Sequence, residues 1–214
     1  MWFDPLYFII VGPGILLAIW ASFRVKSIFA RYAQVVIHSR MSGAEVAREL
    51  LARSGINGVR VEQTAGWLSD HYHPGQRVVR LSPEVYQGRS ISAVGVAAHE
   101  VGHAIQHHQG YAMMSLRQAL VGPANIGSSL SFIVILVGFL FHALGLIWLG
   151  IGLFAAVVLF QLVTLPVEFN ASSRAKRQLV ATGIVGELEG QHVAKVLNAA
   201  ALTYVAALVS SILT

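Results

Sequence analysis

Apolar positions in this 214-residue chain are gathered into blocks rather than spread evenly. Leu6 to Phe23 is a run of 18 residues without a charge, long enough for one membrane-spanning helix. Gln118 to Val167 holds 50 consecutive residues with no Lys, Arg, Asp or Glu. That is too long for one span and fits two spans joined by a tight turn near His142. Val196 to Leu213 is a fourth uncharged stretch, softened by Asn198, Thr203, Ser210 and Ser211. Only Asp4 precedes the first block, and Arg24, Lys26 and Arg31 follow it, so it reads as a retained anchor rather than a cleaved signal.

Between the blocks the pattern changes to that of a folded polar region. Ser42-Gly43-Ala44-Glu45 is a capping box opening an amphipathic helix to about Arg53, ended by Ser54-Gly55. Val59 to Gln63 alternates like a short strand. Trp67 to Pro74 reads as an irregular loop, and Arg77 to Leu81 as a second strand stopped by Ser82-Pro83. The charged ends of that second strand are those of an exposed edge strand. A helix follows from about Ser90 to His108, and another begins at Glu168 and runs to about Leu179 before the break at Gly183–Gly186. The expected architecture is a mainly α membrane protein of about four transmembrane helices. It carries a zincin-like α+β subdomain with a short β-hairpin. Its segments are span one (1–23), the subdomain (24–118), spans two and three (119–165), a polar segment (166–195) and span four (196–214).

Composition agrees: 55% of residues are apolar and 12% charged, with a mean hydropathy of +0.63. An ordinary globular domain carries about twice that charged fraction. The formal net charge of +5 does not indicate nucleic acid, because the basic residues are not interleaved with aromatics in one cluster. With four spans, all 15 Lys and Arg fall in 24–117 and 166–195, on one side of the membrane. By the positive-inside rule that side is the cytoplasm. The absence of cysteine excludes disulfides and thiolate ligands.

The chemistry lies in Ala97-Ala98-His99-Glu100-Val101-Gly102-His103-Ala104-Ile105. On a helix His99 and His103 share one face, about 6 Å apart along the axis, and can both reach one zinc ion. Glu100 then stands beside the metal as the base for a water. With nine His and eight Glu in the chain, composition alone yields this pattern with a chance of roughly one to two per cent. A catalytic zinc takes a third protein ligand. His107 is too far along a straight helix to supply it, so His107 and His108 read as polar residues at a helix end. Glu168 is the candidate: it ends the long uncharged block just after Pro166, where a lone carboxylate is costly unless paired or bound to a cation. Pairing with Arg174 would be the ordinary alternative.

Over nearly its whole length the chain resembles the YugP-type membrane zinc metallopeptidases of bacteria. The matching pieces are SGAEVARELL, LSDHYHP, VVRLSPEVY, VAAHEVGHAIQH, VEFNASSRA and KVLNAAALTYVAAL. HEVGH and EFNAS are also similar to elements of the CAAX-prenyl endopeptidase and heat-shock membrane protease clan. The resemblance implies a gluzincin-like centre with one Zn2+ held by His99, His103 and Glu168, and Glu100 as catalytic base. It implies a peptide or protein substrate, the lipid bilayer as the other partner, and a place in the bacterial cytoplasmic membrane with the site facing the cytoplasm. An oxyanion donor is needed as well, and His71, Tyr72, His73 and His192 are all chemically able. Two other classes fit the sequence less well. A site-2-type intramembrane protease would carry Leu-Asp-Gly, which is absent here. A metal-stabilised membrane adaptor would have no use for Glu100.

Overall fold

The computed structural model describes residues 5–214, with side chains from Ile9 onward. The first four residues of the first segment, Asp4 among them, lie outside the described residues. The chain is mainly helical: α1 (Pro5–Ala33), α2 (Gly43–Arg53), α3 (Pro83–Gln87), α4 (Ile91–His108), α5 (Ala112–Leu140), α6 (Leu144–Ala181) and α7 (Glu187–Leu213). Three short strands, β1 (Arg60–Gln63), β2 (His71–His73) and β3 (Val78–Leu81), form one sheet. Four of the described helices, α1, α5, α6 and α7, are long and apolar enough to cross a membrane. The protein is a mainly α membrane protein.

Contacts divide the chain into two units. One comprises residues 1–19, 112–167 and 204–214, and the other residues 20–111 and 168–203. In the first, the helices approach through small residues. A Cβ on Gly127 would stand 2.3 Å from the Leu153 carbonyl oxygen, and Ser210 Oγ donates to the Gly14 carbonyl at 3.0 Å. Close backbone approach of this kind is how helices hold together where apolar surface gains nothing from burial. Pro166 lies inside α6 without ending it.

The second unit is built like a water-soluble domain. Helix α2 begins at the expected capping box: Glu45 N donates to Ser42 Oγ, and the Glu45 carboxylate accepts from Ser42 N at 2.7 Å. It ends at Gly55, whose φ of 67° suits glycine. Val46, Ala47 and Leu50 on α2 are fully buried, as are Val94, Ala97 and Val101 on α4, and the two helices pack together. Each such Val or Leu is worth about 1.5–3 kcal/mol of burial. Ser90 caps α4 by accepting from Ala93 N at 3.2 Å.

The sheet corrects two expectations. The segment Trp67–Pro74 is not wholly irregular, since His71–His73 forms β2. Ser82-Pro83 ends the strand as expected, and Pro83 also opens the short helix α3. The strand at Val78–Leu81 is not an edge. It runs between β1, to which it is parallel, and β2, to which it is antiparallel. Its burial follows from that position: Val78, Val79 and Leu81 are fully buried. The hairpin is therefore β2–β3, with His73 opposite Val78 across the turn.

Candidate metal centre

Helix α4 carries His99 and His103 on one face, and α6 brings Glu168 to them. Glu168 Oε2 lies 3.1 Å from His99 Nε2 and 3.5 Å from His103 Nε2. The two imidazoles stand edge to face at 84°, with centroids 4.7 Å apart. All three ligand-capable atoms fall within 4.8 Å of one another. Zinc bonds of 2.0–2.1 Å in a tetrahedron place neighbouring ligand atoms ~3.3 Å apart. The two distances to the carboxylate bracket that value, so the donor set fits the ion.

The electrostatics point the same way. Glu168 is only 2% exposed, a carboxylate taken out of water and set against two imidazoles. Burial alone would push the His103 pKa down, but the hydrogen bond and charge of Glu168, with the charge of Glu100, raise it above the ordinary imidazole value. The two carboxylates thus favour positive charge at this centre, as a cation site requires.

Helix α6 can come this close because Gly102 has no side chain. A Cβ there would lie 2.6 Å from the Ala171 carbonyl oxygen. The glycine of HEVGH therefore serves the approach of the Glu168 helix.

Both imidazoles turn Nε2 to the centre, and each Nδ1 has a partner behind it. Ser172 Oγ lies 3.1 Å from His99 Nδ1, and Gln106 Oε1 lies 3.0 Å from His103 Nδ1. An amide oxygen accepts, so His103 carries its proton on Nδ1 and leaves the Nε2 lone pair for a metal. Gln106 is held in that orientation by donating Nε2 to Asn170 Oδ1 at 3.0 Å. Asn170 Oδ1 also accepts from Arg174 Nε at 2.6 Å, and Arg174 Nη1 donates to Gln109 at 2.6 Å. Arg174, the alternative partner for Glu168, is thus committed to this network. Sequence reasoning passed over Ser172 and Gln106. The signal was spacing: Gln106 follows His103 by three residues and Ser172 follows Glu168 by four, each on the same helix face as its neighbour.

Glu100 is buried at 7% exposure. Asp70, whose carboxylate accepts from Ser82 N at 2.8 Å and from Ser82 Oγ at 3.1–3.2 Å, feels its charge. The four oxyanion candidates are dispersed. Tyr72 meets His107 Nδ1 at 2.8 Å, so His107 is more than a polar helix end. His71 Nδ1 faces the Ser69 carbonyl at 2.8 Å, and His73 Nδ1 accepts from Gln76 N at 3.1 Å. His192 lies against the Tyr32 ring at 5.1 Å.

Residues 7–214 match the family model described as "Putative neutral zinc metallopeptidase". The chain belongs to this family. It is also 52% identical over 196 residues to the "Putative membrane protease YugP" of Bacillus subtilis (strain 168), covering 92% of this chain and 87% of that one. No solved structure matches. The His99, His103 and Glu168 cluster could hold a metal ion, and the family's description is the source of the assignment to zinc.

Proposed function

We propose that the protein is a zinc-dependent endopeptidase that hydrolyses peptide bonds at the cytoplasmic face of the membrane. The observation that carries this reading is the convergence of His99, His103 and Glu168, with the buried Glu100 following directly on the first of them. Zinc held by the three side chains would supply a Lewis acid that polarises a scissile carbonyl and makes a water acidic. Glu100 accepts the proton of the attacking water and returns it to the leaving amine. Ser172 and Gln106 hold the imidazoles in orientation, and the buried setting limits competing water. A scaffold that only bound metal would need the three ligands but not Glu100, which favours the enzyme.

Glu100→Gln should keep near-stoichiometric zinc and lose at least about a hundredfold in hydrolysis of casein or a peptide library, because it removes the base and spares the ligands. Equal cleavage by the variant and the parent would sink the assignment of Glu100. The cytoplasmic facing rests on the placement of all 15 Lys and Arg. Because the chain has no cysteine, single cysteines at Gly75 and Gly186 should resist a membrane-impermeant thiol reagent in intact cells, while one at His142 reacts. Labelling of position 75 from outside would reverse the orientation.

A further inference from the structure

Residues 64–69, in the loop between β1 and β2, carry an exposed tryptophan on a tight turn. Trp67 is 51% exposed, although its ring is not loose. It packs edge to face on Phe29 at 6.3 Å, and Lys26 Nζ stands 5.9 Å from its centroid. Gly66 has φ 101° and Leu68 φ 52°, a left-handed conformation that leucine rarely adopts. Ser69 Oγ holds the turn by donating to the carbonyls of Ala65 and Gly66 at 3.0 Å. The strained leucine and the serine clamp keep the indole outward.

Its place along α1 identifies what lies outside. The uncharged run ends at Phe23, and Lys26 follows by three residues, ~4.5 Å along the helix. Each interfacial layer of a bilayer is about 5–8 Å deep, so Lys26 falls inside that layer, and Trp67, set against both Lys26 and Phe29 one turn further on, stands towards its water side. Phe23, 71% exposed, is one turn before Lys26 on the same flank. Trp20 is half exposed, with Arg24 5.6 Å from its ring. Tryptophan beside lysine, next to bare phenylalanine at a span end, is the composition of a membrane–water boundary.

We propose that the 64–69 loop is a second attachment to the bilayer, separate from the four spans, with Trp67 seated in the lipid headgroup layer and Lys26 reaching lipid phosphates. Strand β2 begins two residues beyond Ser69, so one end of that edge strand is tethered at the lipid surface. If the peptidase reading holds, substrates meet the site as chains lying on the membrane.

The test uses the full chain with Trp2, Trp20 and Trp148 replaced by phenylalanine, leaving Trp67 as the reporter, in phosphatidylcholine/phosphatidylglycerol vesicles. A control in that background carries Trp67→Phe with Gly75→Trp in the β2–β3 turn. Lipids brominated near the headgroup should quench Trp67 at least about twofold more than the control, and aqueous iodide should quench it less. Iodide quenching equal to that of the control, with no effect of brominated lipid, would overturn the attachment. Should the triple replacement fail to fold, Trp67→Cys in the otherwise native chain, labelled with a polarity-sensitive fluorophore and challenged with headgroup-level nitroxide lipid, reads the same contact. No nitroxide quenching there overturns it equally. Neither measurement requires hydrolysis, so a failed peptidase reading would show separately as an inactive parent.

Discussion

The two units follow opposite rules for the same residue types. In the unit of 1–19, 112–167 and 204–214, large apolar side chains face outward: Phe132, Phe139, Phe141 and Trp148 are 64–76% exposed. In the unit of 20–111 and 168–203, Val78, Val79, Leu81, Val85 and Ile91 are fully buried. The difference is one of solvent. Lipid offers no penalty for exposed phenylalanine, so the first unit is held by small-residue contacts such as Gly127 on Leu153. Water penalises it, so the second unit forms a core, and only a core can fix polar groups to fractions of an ångström. The candidate metal centre belongs wholly to the second unit, although Glu168 is the first residue after the apolar part of α6.

Removing that residue is the largest perturbation to be expected. Glu168→Ala leaves two histidines and should lose most of the zinc that purifies with the protein, as should His103→Ala, while the membrane helices stay folded. The comparison is metal content per mole in detergent alongside helical signal by circular dichroism. Full zinc occupancy in Glu168→Ala would mean that the third ligand has been misassigned.

One glycine from each unit gives a second contrast, in the response to a single methyl group. Gly102→Ala forces a Cβ to 2.6 Å from a backbone oxygen of α6. Overpacking of this kind costs about 1–3 kcal/mol, and here it also moves Glu168 away from the histidines. Gly122 has nothing within 4 Å of a Cβ, so Gly122→Ala should be near neutral. Thermal unfolding and zinc affinity, measured on both, should separate them clearly. Equal behaviour would deny that Gly102 sets the helix spacing.

What the chain disclosed in advance followed the same division. The apolar blocks and the capping box at Ser42–Glu45 rest on local chemistry, and so does the HEVGH helix, and each was legible. Glu168 was a candidate because a charge stands out after 50 uncharged residues, and it does lie beside His99 and His103. Strand β2 was missed because His-Tyr-His carries no apolar alternation longer than one residue, and it exists only through pairing with β3. The central place of β3 was hidden for a similar reason, since Arg77 and Arg80 look like edge charges until β1 and β2 are both set beside it. The Gln106–Asn170–Arg174 network joins positions 64 residues apart in sequence, a relation that helix spacing alone does not reveal.

The smallest expected effect concerns Asp70, a carboxylate that feels the charge of the proposed base. Burial raises the Asp70 pKa above the ordinary aspartate value, the Ser82 amide bond lowers it in part, and the Glu100 charge raises it again, leaving a net upward shift. A raised carboxylate pKa means that the folded state holds the proton more tightly than the unfolded chain. Asp70 therefore contributes least when ionised. Its share of stability falls as pH rises from the ordinary aspartate pKa to the raised one, and is flat above that. Asp70→Asn keeps an oxygen for the Ser82 amide and removes the titration. Unfolding midpoints of the parent and variant, followed from about pH 4 to about pH 7, should show the variant losing less stability on the way up. Glu100→Gln should flatten the parent's slope in part, since it removes the like charge. A parent whose stability instead rises through that window by more than the variant's would show that the Ser82 bonds, rather than burial, dominate at Asp70.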